Sequence, residues 1–398
     1  MGLIKRKNND SDDVDSISDY EKEPEEKVKS RRPGDNAFRQ QRLKAYNPII
    51  TTKTVIPLFL LFAVVFVPLG AAMLYGSNQV QDLVIDYEQC ENMANADYFT
   101  EIPEEYFEYN FKTPITEKPQ WKLVTNASES DPVENKICQV QFPVPNDIDG
   151  PVYFFYQLEN FYANHRRYVI SYCELQLNGE PSSVHVVKDT IGQNCQPMST
   201  DPASGLIYYP CGLIANAMFN DTFTYPAAIN GTSDDYVMTQ KGIAWSTDKN
   251  RLKKTQYNAS QIVPPPNWVK KFPDGYNDDN IPDISTWEEF QNWMHPAGLS
   301  KFSILYFRND DDQLKAGSYQ VNIGLHWPVL PFNGKKAFYI STRSVLGGKN
   351  SFLGIAWIVG GGLCFVLGLV FLVIHLISPR KMGDTSLLSW NKEKQHAE

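Results

Sequence analysis

Two long apolar stretches, at residues 55–75 and 352–377, constrain the fold of this chain more than any other feature. Neither stretch contains Asp, Glu, Lys or Arg. Each exceeds the roughly 20 residues that a helix needs to cross about 30 Å of hydrocarbon, where every backbone polar group must be paired within the segment. We therefore predict two transmembrane helices that bracket an extracytoplasmic domain at residues 78–350.

The charges beside the first stretch predict the orientation of the chain. Basic residues precede it, at Lys29, Arg31, Arg32, Arg39, Arg42, Lys44 and Lys53, and acidic residues follow it, at Asp82, Asp86, Glu88 and Glu91. By the positive-inside rule residues 1–53 stay in the cytosol, and the second crossing returns residues 378–398 to the same side. Because a long polar tail precedes the first span, we expect an uncleaved signal anchor.

The region between the spans carries N-glycosylation sequons at Asn126, Asn220, Asn230 and Asn258. A further match, at Asn9, falls in the predicted cytosolic tail and should stay unmodified. Sequons mark surface positions in the secretory pathway, so their distribution supports the same topology.

Cysteines in the same region predict disulfide bonds, because this side of the membrane is oxidising. They lie at Cys90, Cys138, Cys173, Cys195 and Cys211, and a further one, Cys364, lies in the second stretch. Cys195 and Cys211 enclose a short loop, which favours their pairing, and Cys90 with Cys138 would close a longer one. The number of cysteines between the spans is odd, so one of them stays unpaired, and we expect it to be Cys173. A metal site is the competing interpretation, but no Cys-x-x-Cys or His-x₃-His spacing occurs, so we expect no metal.

The N-terminal tail divides into two parts. Residues 1–34 are acidic and poor in apolar side chains, which predicts disorder. Residues 36–46 mix Phe38 and Leu43 with Arg39, Arg42 and Lys44, which predicts a basic amphipathic segment at the inner membrane surface, where a partner could also dock. The formal net charge of −9 gives no basic surface for nucleic acid.

The sequence of the predicted extracytoplasmic region favours β-strands over helices. Residues Tyr319–Trp327 alternate apolar and polar side chains, as a half-buried strand does. Val152–Leu158 is apolar enough to predict burial on both faces, and Phe302–Phe307 and Lys336–Ser341 are further candidates. The best helix signal is Ser285–Met294, with Ser285 as its cap. We predict a mainly antiparallel β-sandwich with long loop excursions.

No residue pattern predicts catalysis. The chain has no Gly-x-Ser-x-Gly elbow, no His-Glu-x-x-His helix and no Asp-Lys-Thr-Gly-Thr phosphorylation sequence, and we expect no cofactor. Gly360, Cys364 and Gly368 recur every fourth residue, placing small side chains where the chain's own first span or a separate multi-span protein could approach. The basic run His165–Arg167 could bind an anionic partner or pair with acids such as Glu159.

Several runs resemble one known family. They are Ala37–Ala45, Ala163–Val169, Tyr209–Phe223, Pro264–Trp268 and Trp287–Met294. These runs are similar to the ligand-effect-modulator, or cell-division-control-protein-fifty, family, in its fungal branch. The likeness extends from about Ala37 to Trp390, and the Tyr209–Phe223 run is its most specific part.

The resemblance implies a noncatalytic β subunit of a phospholipid-flipping P-type ATPase, which helps the pump leave the endoplasmic reticulum and supports its cycle and inward phospholipid transport. It implies a catalytic α subunit and membrane lipids as partners, a Golgi, endosomal or plasma membrane location, and the disulfides Cys90–Cys138 and Cys195–Cys211. Cys173 departs from the family pattern. The residues we expect to contact the partner are Phe38, Arg39, Arg42, Tyr209, Gly212, Asn216, Phe219, Gly360 and Gly368.

Two other functions share the same two-span plan. A ligand-gated channel subunit would line a pore with its second span, and the apolar 352–377 stretch argues against that. A luminal cargo or glycan receptor would use the aromatic-rich region between the spans.

Overall fold

The computed structural model describes residues 35–45, 51–126, 135–190, 192, 194–229, 234–344, 347–379 and 385. Its helices are α1 (Thr52–Asn78), α2 (Cys90–Met93), α3 (Arg166–Val169), α4 (Glu174–Leu177), α5 (Val184–Asp189), α6 (Leu213–Asn216), α7 (Ser246–Arg251), α8 (Glu288–Trp293) and α9 (Ser351–Ile377). The predicted tail disorder at 1–34, the sequon residue Asn230 and most of residues 378–398 lie outside the described residues.

Helices α1 and α9 contain the two predicted spans, and both are long and apolar enough to cross a membrane. The side chain of Asn350 caps α9 by accepting a hydrogen bond from the Phe352 N–H at 3.0 Å. The strand that follows α1 and the strand that precedes α9 are hydrogen-bonded neighbours, described next, so the two helices join the same sheet.

The strands are β1 (Asp82–Asp86), β2 (Thr100–Glu101), β3 (Phe107–Asn110), β4 (Gln120–Thr125), β5 (Lys136–Val144), β6 (Val152–Glu159), β7 (Ile207–Tyr208), β8 (Thr222–Phe223), β9 (Ala227–Ala228), β10 (Ile262–Val263), β11 (Phe302–Asn309), β12 (Gly317–Gly324) and β13 (Lys335–Thr342). One sheet has the order β11-β6-β13-β1-β3, and the other has the order β2-β4-β5-β12-β8 with β9 also on β12. Both are antiparallel, whereas the small β7–β10 pair is parallel.

The two sheets pack face to face on one apolar core. In β12 the alternation places Tyr319, Val321 and Ile323 in that core. The Phe142 ring on β5 lies 5.7 Å from the Phe338 ring on β13, which joins the sheets at their centre. The predicted antiparallel β-sandwich is confirmed.

Two strands differ in detail from their sequence predictions. β6 buries only one face, because Tyr153 and Phe155 on the other face are half-buried, so the prediction of burial on both faces is wrong. β12 ends at Gly324 instead of Trp327, since the N–H groups of His326 and Trp327 donate to a side chain, described below, instead of to a neighbouring strand.

Helix α8 begins two residues later than predicted, with Trp287 and not Ser285 at its N-cap. Ser285 does not cap it, because the Ser285 hydroxyl donates to Asp283 Oδ1 at 2.5 Å. The Glu288 carboxylate accepts from the Ala244 N–H at 3.0 Å. Phe290 is buried and its ring lies 6.0 Å from that of Trp268, so this side of α8 packs against the loop that contains Trp268.

The predicted amphipathic segment at residues 36–46 is described over residues 35–45, which form a single hydrogen-bonded turn. The Asn36 side chain accepts from the Arg39 N–H at 2.7 Å, which starts the turn. Gln41 has a φ of 53°, a left-handed conformation that ends it. Phe38 is 77% exposed, and Arg42 pairs with Asp35. One turn is too short to form an apolar face, so these side chains are displayed individually.

Candidate functional site

Helices α1 and α9 pack along a seam with a seven-residue period on both sides. The buried residues are Ile56, Ala63, Gly70 and Ser77 on α1, and Gly354, Gly361 and Gly368 on α9. A seven-residue repeat keeps one helix face against its partner. The seam is closed at the end nearest the sandwich by the Asn350 N–H, which donates to the Ser77 hydroxyl at 2.9 Å.

Glycines set the close approach along this seam. A Cβ added at Gly354 would lie 2.8 Å from the Leu74 backbone N and 3.0 Å from the Gly70 carbonyl oxygen. Gly368 also faces α1, because a Cβ added there would lie 3.2 Å from the Leu60 side chain, whereas a Cβ added at Gly360 would meet no atom of another element within 4 Å. The predicted face through Gly360, Cys364 and Gly368 is therefore split: Gly368 belongs to the internal seam, and Gly360 lies on an open face.

A buried ion pair lies between the two sheets. The Lys336 ammonium on β13 contacts Asp221 Oδ2 at 2.6 Å, and both side chains are almost fully buried. The Tyr87 hydroxyl donates to the same oxygen at 2.9 Å. The N–H groups of His326 and Trp327 donate to Asp221 Oδ1 at 2.7 and 2.6 Å. Asp221 thus accepts from four donors, which is the condition under which a buried carboxylate is tolerated.

Asp221 belongs to the Tyr209–Phe223 run, and the structure places the predicted contact residues of that run inside the chain. Tyr209 is fully buried, and Phe219 stacks on Tyr156 with a ring separation of 4.1 Å. Asn216 accepts from the Asn267 N–H at 3.0 Å. Gly212 has a φ of 103° and lies on Ser171, whose carbonyl oxygen would be 2.1 Å from an added Cβ. These side chains position loops and present no surface to a partner.

The disulfides Cys90–Cys138 and Cys195–Cys211 are both formed in the structure. Cys173 is a buried free thiol, 3.6 Å from the Ser182 hydroxyl. Cys195–Cys211 lies in an apolar cluster with Val187, Tyr257 and Ile262, beneath the long loops. The pairing therefore holds excursions that lie outside the sandwich.

Two of the predicted glycosylation sites are exposed asparagines, Asn220 and Asn258. The Asn258 side chain accepts a hydrogen bond from the Gln261 N–H, and the Gln261 side chain accepts one from the Asn258 N–H. The side-chain nitrogen of Asn258 takes no part in this capping box. Asn126 is half-buried. Within the described residues, no group of three or more His, Cys, Asp or Glu side chains is placed to hold a metal.

Comparison with known proteins identifies the family. The sequence model of the LEM3 (ligand-effect modulator 3) family / CDC50 family matches residues 73–381, which is most of the chain. The chain belongs to the CDC50/LEM3 family. This membership accounts for the resemblance of the separate sequence runs, and the matched region includes both the sandwich and α9.

The chain is also similar to proteins of known name along nearly its whole length. It is 48% identical to the phospholipid-transporting ATPase accessory subunit LEM3 of Saccharomyces cerevisiae, over 96% of this chain and 93% of that protein. It is 40% identical to the accessory subunit CDC50 of Chaetomium thermophilum, over 96% and 95%. The cell cycle control protein 50A of Mus musculus is 34% identical, over 87% and 90%.

Two carboxyl groups are expected to make the stability of this CDC50/LEM3 family chain depend on pH. Asp86 is the last residue of β1, and the buried Glu88 lies two residues beyond it, with Lys335 near both carboxyl groups. Burial raises the pKa of Glu88 to about 7 and that of Asp86 to about 6. Glu88 Oε2 is buried and accepts no hydrogen bond within the described part of the chain. Backbone hydrogen bonds and the Lys335 charge favour the ionised carboxylate, but the desolvation that burial causes outweighs them.

We expect the folded chain to be more stable at about pH 5.5 than at about pH 8. Because both pKa values are raised by folding, this contribution is complete below about pH 4 and is lost as pH rises through 6 and 7. A pKa unit is worth about 1.4 kcal/mol, and solvent screening leaves roughly 1–2 kcal/mol here. Thermal unfolding of wild type and Glu88→Gln at both pH values measures it. An unchanged pH dependence in the variant would contradict the assignment.

Proposed function

We propose that this chain is the noncatalytic accessory (β) subunit of a phospholipid-translocating P-type ATPase. The observation that carries the proposal is its 48% identity, over 96% of its length, to a protein named as such a subunit. The catalytic α subunit brings the ATP chemistry, while this chain supports its exit from the endoplasmic reticulum, its cycle and inward phospholipid transport. The comparisons do not favour the channel-subunit or glycan-receptor alternatives.

The mechanism we propose is differential binding. A partner that binds every conformation of the pump equally shifts none of its equilibria, so this chain must bind some conformations more tightly than others. The rigid parts available for that purpose are the α1–α9 pair and the sandwich, which are joined through β1 and β13. When the pump changes conformation at its contact with one of these parts, its contact with the other part therefore changes as well.

The contact residues we propose follow from exposure. Phe38, Arg39 and Arg42 are exposed on the turn at residues 35–45, where they suit the cytosolic face of the pump. Gly360 lies on a face of α9 with open space around it, where a helix of the catalytic subunit can approach closely. Gly368 acts within the α1–α9 seam. We assign Tyr209, Gly212, Asn216 and Phe219 to the support of neighbouring loops.

We also propose the membrane topology and the cellular location of the chain. Both termini are cytosolic, residues 78–350 are extracytoplasmic, and the mature complex resides in the trans-Golgi network or endosomal membrane, with the plasma membrane as the alternative. Protease treatment of sealed vesicles with the extracytoplasmic side outward tests this arrangement. Tags at both termini should be cleaved only after the membrane is opened.

Purification of the tagged chain in mild detergent tests the proposed function. We expect a large P-type ATPase of the phospholipid-transporting class to be recovered with it in near-stoichiometric amount. Deletion of the chain should retain that ATPase in the endoplasmic reticulum and abolish its inward transport of fluorescent phospholipids. A single-span glycoprotein of the same compartment, tagged identically, serves as the control. Recovery of no such ATPase in several detergents, with undiminished transport in deletion cells, contradicts the proposal.

A further inference from the structure

The outward face of the six-stranded sheet is a surface of side-chain amides. The residues of β5 and β12 that point inward, such as Val140 and Val321, are buried in the core, so the residues between them point outward. All the outward amide residues are half-buried, so solvent reaches them. These residues, which we call the amide face, are Gln120 on β4, Gln139 and Gln141 on β5, and Gln320 and Asn322 on β12.

This face carries almost no charge. Lys122 Nζ donates to the carbonyl oxygen of Asp97, which precedes β2, at 3.0 Å. The outward face of the five-stranded sheet, in contrast, carries Asp82 and Asp86 on β1 alone. A charged partner therefore finds little to pair with on the amide face, whereas a neutral ligand that forms hydrogen bonds suits it. The other outward positions on β4, β5 and β12 are Lys122, Val124, Ile137, Pro143, Ser318 and Gly324.

Strand pairing brings the members of the amide face together in two rows. Gln120, Gln141 and Gln320 share one row, and Gln139 and Asn322 share the next. Gln141 Nε2 donates to Gln320 Oε1 at 2.9 Å, and Gln320 Nε2 donates to Asn322 Oδ1 at 2.9 Å. The side chains of Gln120 and Gln139 form no hydrogen bond with any residue that the structure describes. A carboxamide both donates and accepts hydrogen bonds, as a sugar hydroxyl group does, so the unused groups match an oligosaccharide.

The sequon at Asn126 places an oligosaccharide at the end of this face. The Asn126 N–H donates to the Asn135 carbonyl oxygen at 2.6 Å, which continues the β4–β5 pairing one position beyond the end of β4. Because side chains alternate along a strand, Asn126 lies on the same face as Val124. Gln139 pairs with Lys122, four positions back along β4, so it lies about 13 Å from Asn126 along the strand. The core of an N-linked oligosaccharide, several linked pyranose rings, can span that distance.

We propose that the amide face binds the N-linked oligosaccharide attached to Asn126 of the same chain. The first sugars lie over Val124 and Ile137, and the following sugars form hydrogen bonds with Gln139 and Asn322. The oligosaccharide thereby occupies a sheet face that is otherwise open to solvent. This assignment rests on the topology given under the proposed function, which puts the sequon on the side of the membrane where sugar is attached.

Deglycosylation of the native full chain, followed at each sequon, tests this contact. The chain is purified in mild detergent and treated with an endoglycosidase, and mass spectrometry of its glycopeptides gives the cleaved fraction at each site. We expect the sugar on Asn126 to be cleaved at least about tenfold more slowly than the sugar on the exposed Asn258. The difference should disappear in the denatured chain. Equal rates in the native chain, or an unmodified Asn126, would overturn the proposal.

Variants of the two sheets separate contact with the amide face from crowding near the sequon. Gln139→Ala with Asn322→Ala removes two amides and should speed cleavage at Asn126 at least about fivefold. Gln157→Ala is the matched control, because it changes the same residue type on the outward face of β6, in the other sheet, and should leave the rate unchanged. Thermal unfolding shows whether the variants are folded, and each single substitution is measured if the double variant is not. Protection that survives these substitutions would refute the contact.

Other occupants of the amide face give different results. Protection that disappears on dilution of the chain would show that a second copy covers the face. Protection at Asn220, lost in the Gln139 and Asn322 variant, would assign the face to the other sugar. Either result overturns the proposal and leaves the proposed function in place. If none of the sequons carries sugar in cells, the proposed topology fails and this inference fails with it.

Discussion

Replacing Asp221 with Ala is expected to destabilise the β-sandwich domain by about 3–5 kcal/mol, the cost of leaving a buried charge without its partner. The Lys336 ammonium, 2.6 Å from the carboxylate, would remain buried beside an apolar gap. The Tyr87 hydroxyl and the N–H groups of His326 and Trp327 would lose their acceptor at the same time. Chemical denaturation of the purified chain measures the loss, and retention in the endoplasmic reticulum should accompany it.

Controls for this variant address charge and glycosylation separately. Asp221 is the middle residue of the Asn220 sequon, and Ala at that position preserves the acceptor pattern, so sugar attachment should be unchanged. Asp278→Ala removes an exposed loop carboxylate and should change stability by no more than a few tenths of a kcal/mol. Adding Lys336→Met to Asp221→Ala should recover part of the lost stability, because no unpaired charge then remains buried. An unchanged free energy of unfolding in Asp221→Ala would contradict the central role of this ion pair.

The sequence predicted the two spans and the strands of the sandwich because both rest on local patterns. An uncharged apolar run identifies a span, and period-two alternation identified β12 and its core residues. The same alternation contained an unused signal for the buried ion pair. Lys336 shares a strand face with Phe338 and Ile340, so an inward-facing lysine, and therefore a buried acid partner, could have been inferred from β13 alone. Its partner, Asp221, could not, since the pair is 115 residues apart in sequence.

Surface positions were harder to predict, because burial depends on contacts between distant segments. The specificity of the Tyr209–Phe223 run suggested a binding surface, whereas Tyr209 and Phe219 proved to be interior. A run can be specific to a family because its packing is demanding. In α9, counting every fourth residue selected Gly360, whereas counting every seventh would have selected Gly354, Gly361 and Gly368. Only the seven-residue period keeps small residues on the face that meets a neighbouring helix over several turns.

The change Gly354→Val is expected to force α1 and α9 apart. A Cβ at Gly354 would come within 3.0 Å of backbone atoms of Gly70 and Leu74, which cannot rotate away as a side chain can. Overpacking of this kind typically costs about 1–3 kcal/mol, and here the cost falls on the seam that joins both spans to the sandwich. We expect a lower thermal unfolding temperature in detergent and loss of mature glycoprotein from cells.

Gly360→Val is the matched control, because it makes the same change six residues along the same helix, where no atom lies within 4 Å of the added Cβ. The isolated chain should therefore unfold as the wild type does. If Gly360 faces the catalytic subunit, as we propose, this variant should nevertheless recover less of the ATPase, since a branched side chain would hold the two helices apart. Normal recovery would move the contact to another face of α9. Equal unfolding of Gly354→Val and wild type would instead show that the spans do not depend on this seam, and the coupling of membrane helices to sandwich that the proposed mechanism needs would lose its physical basis.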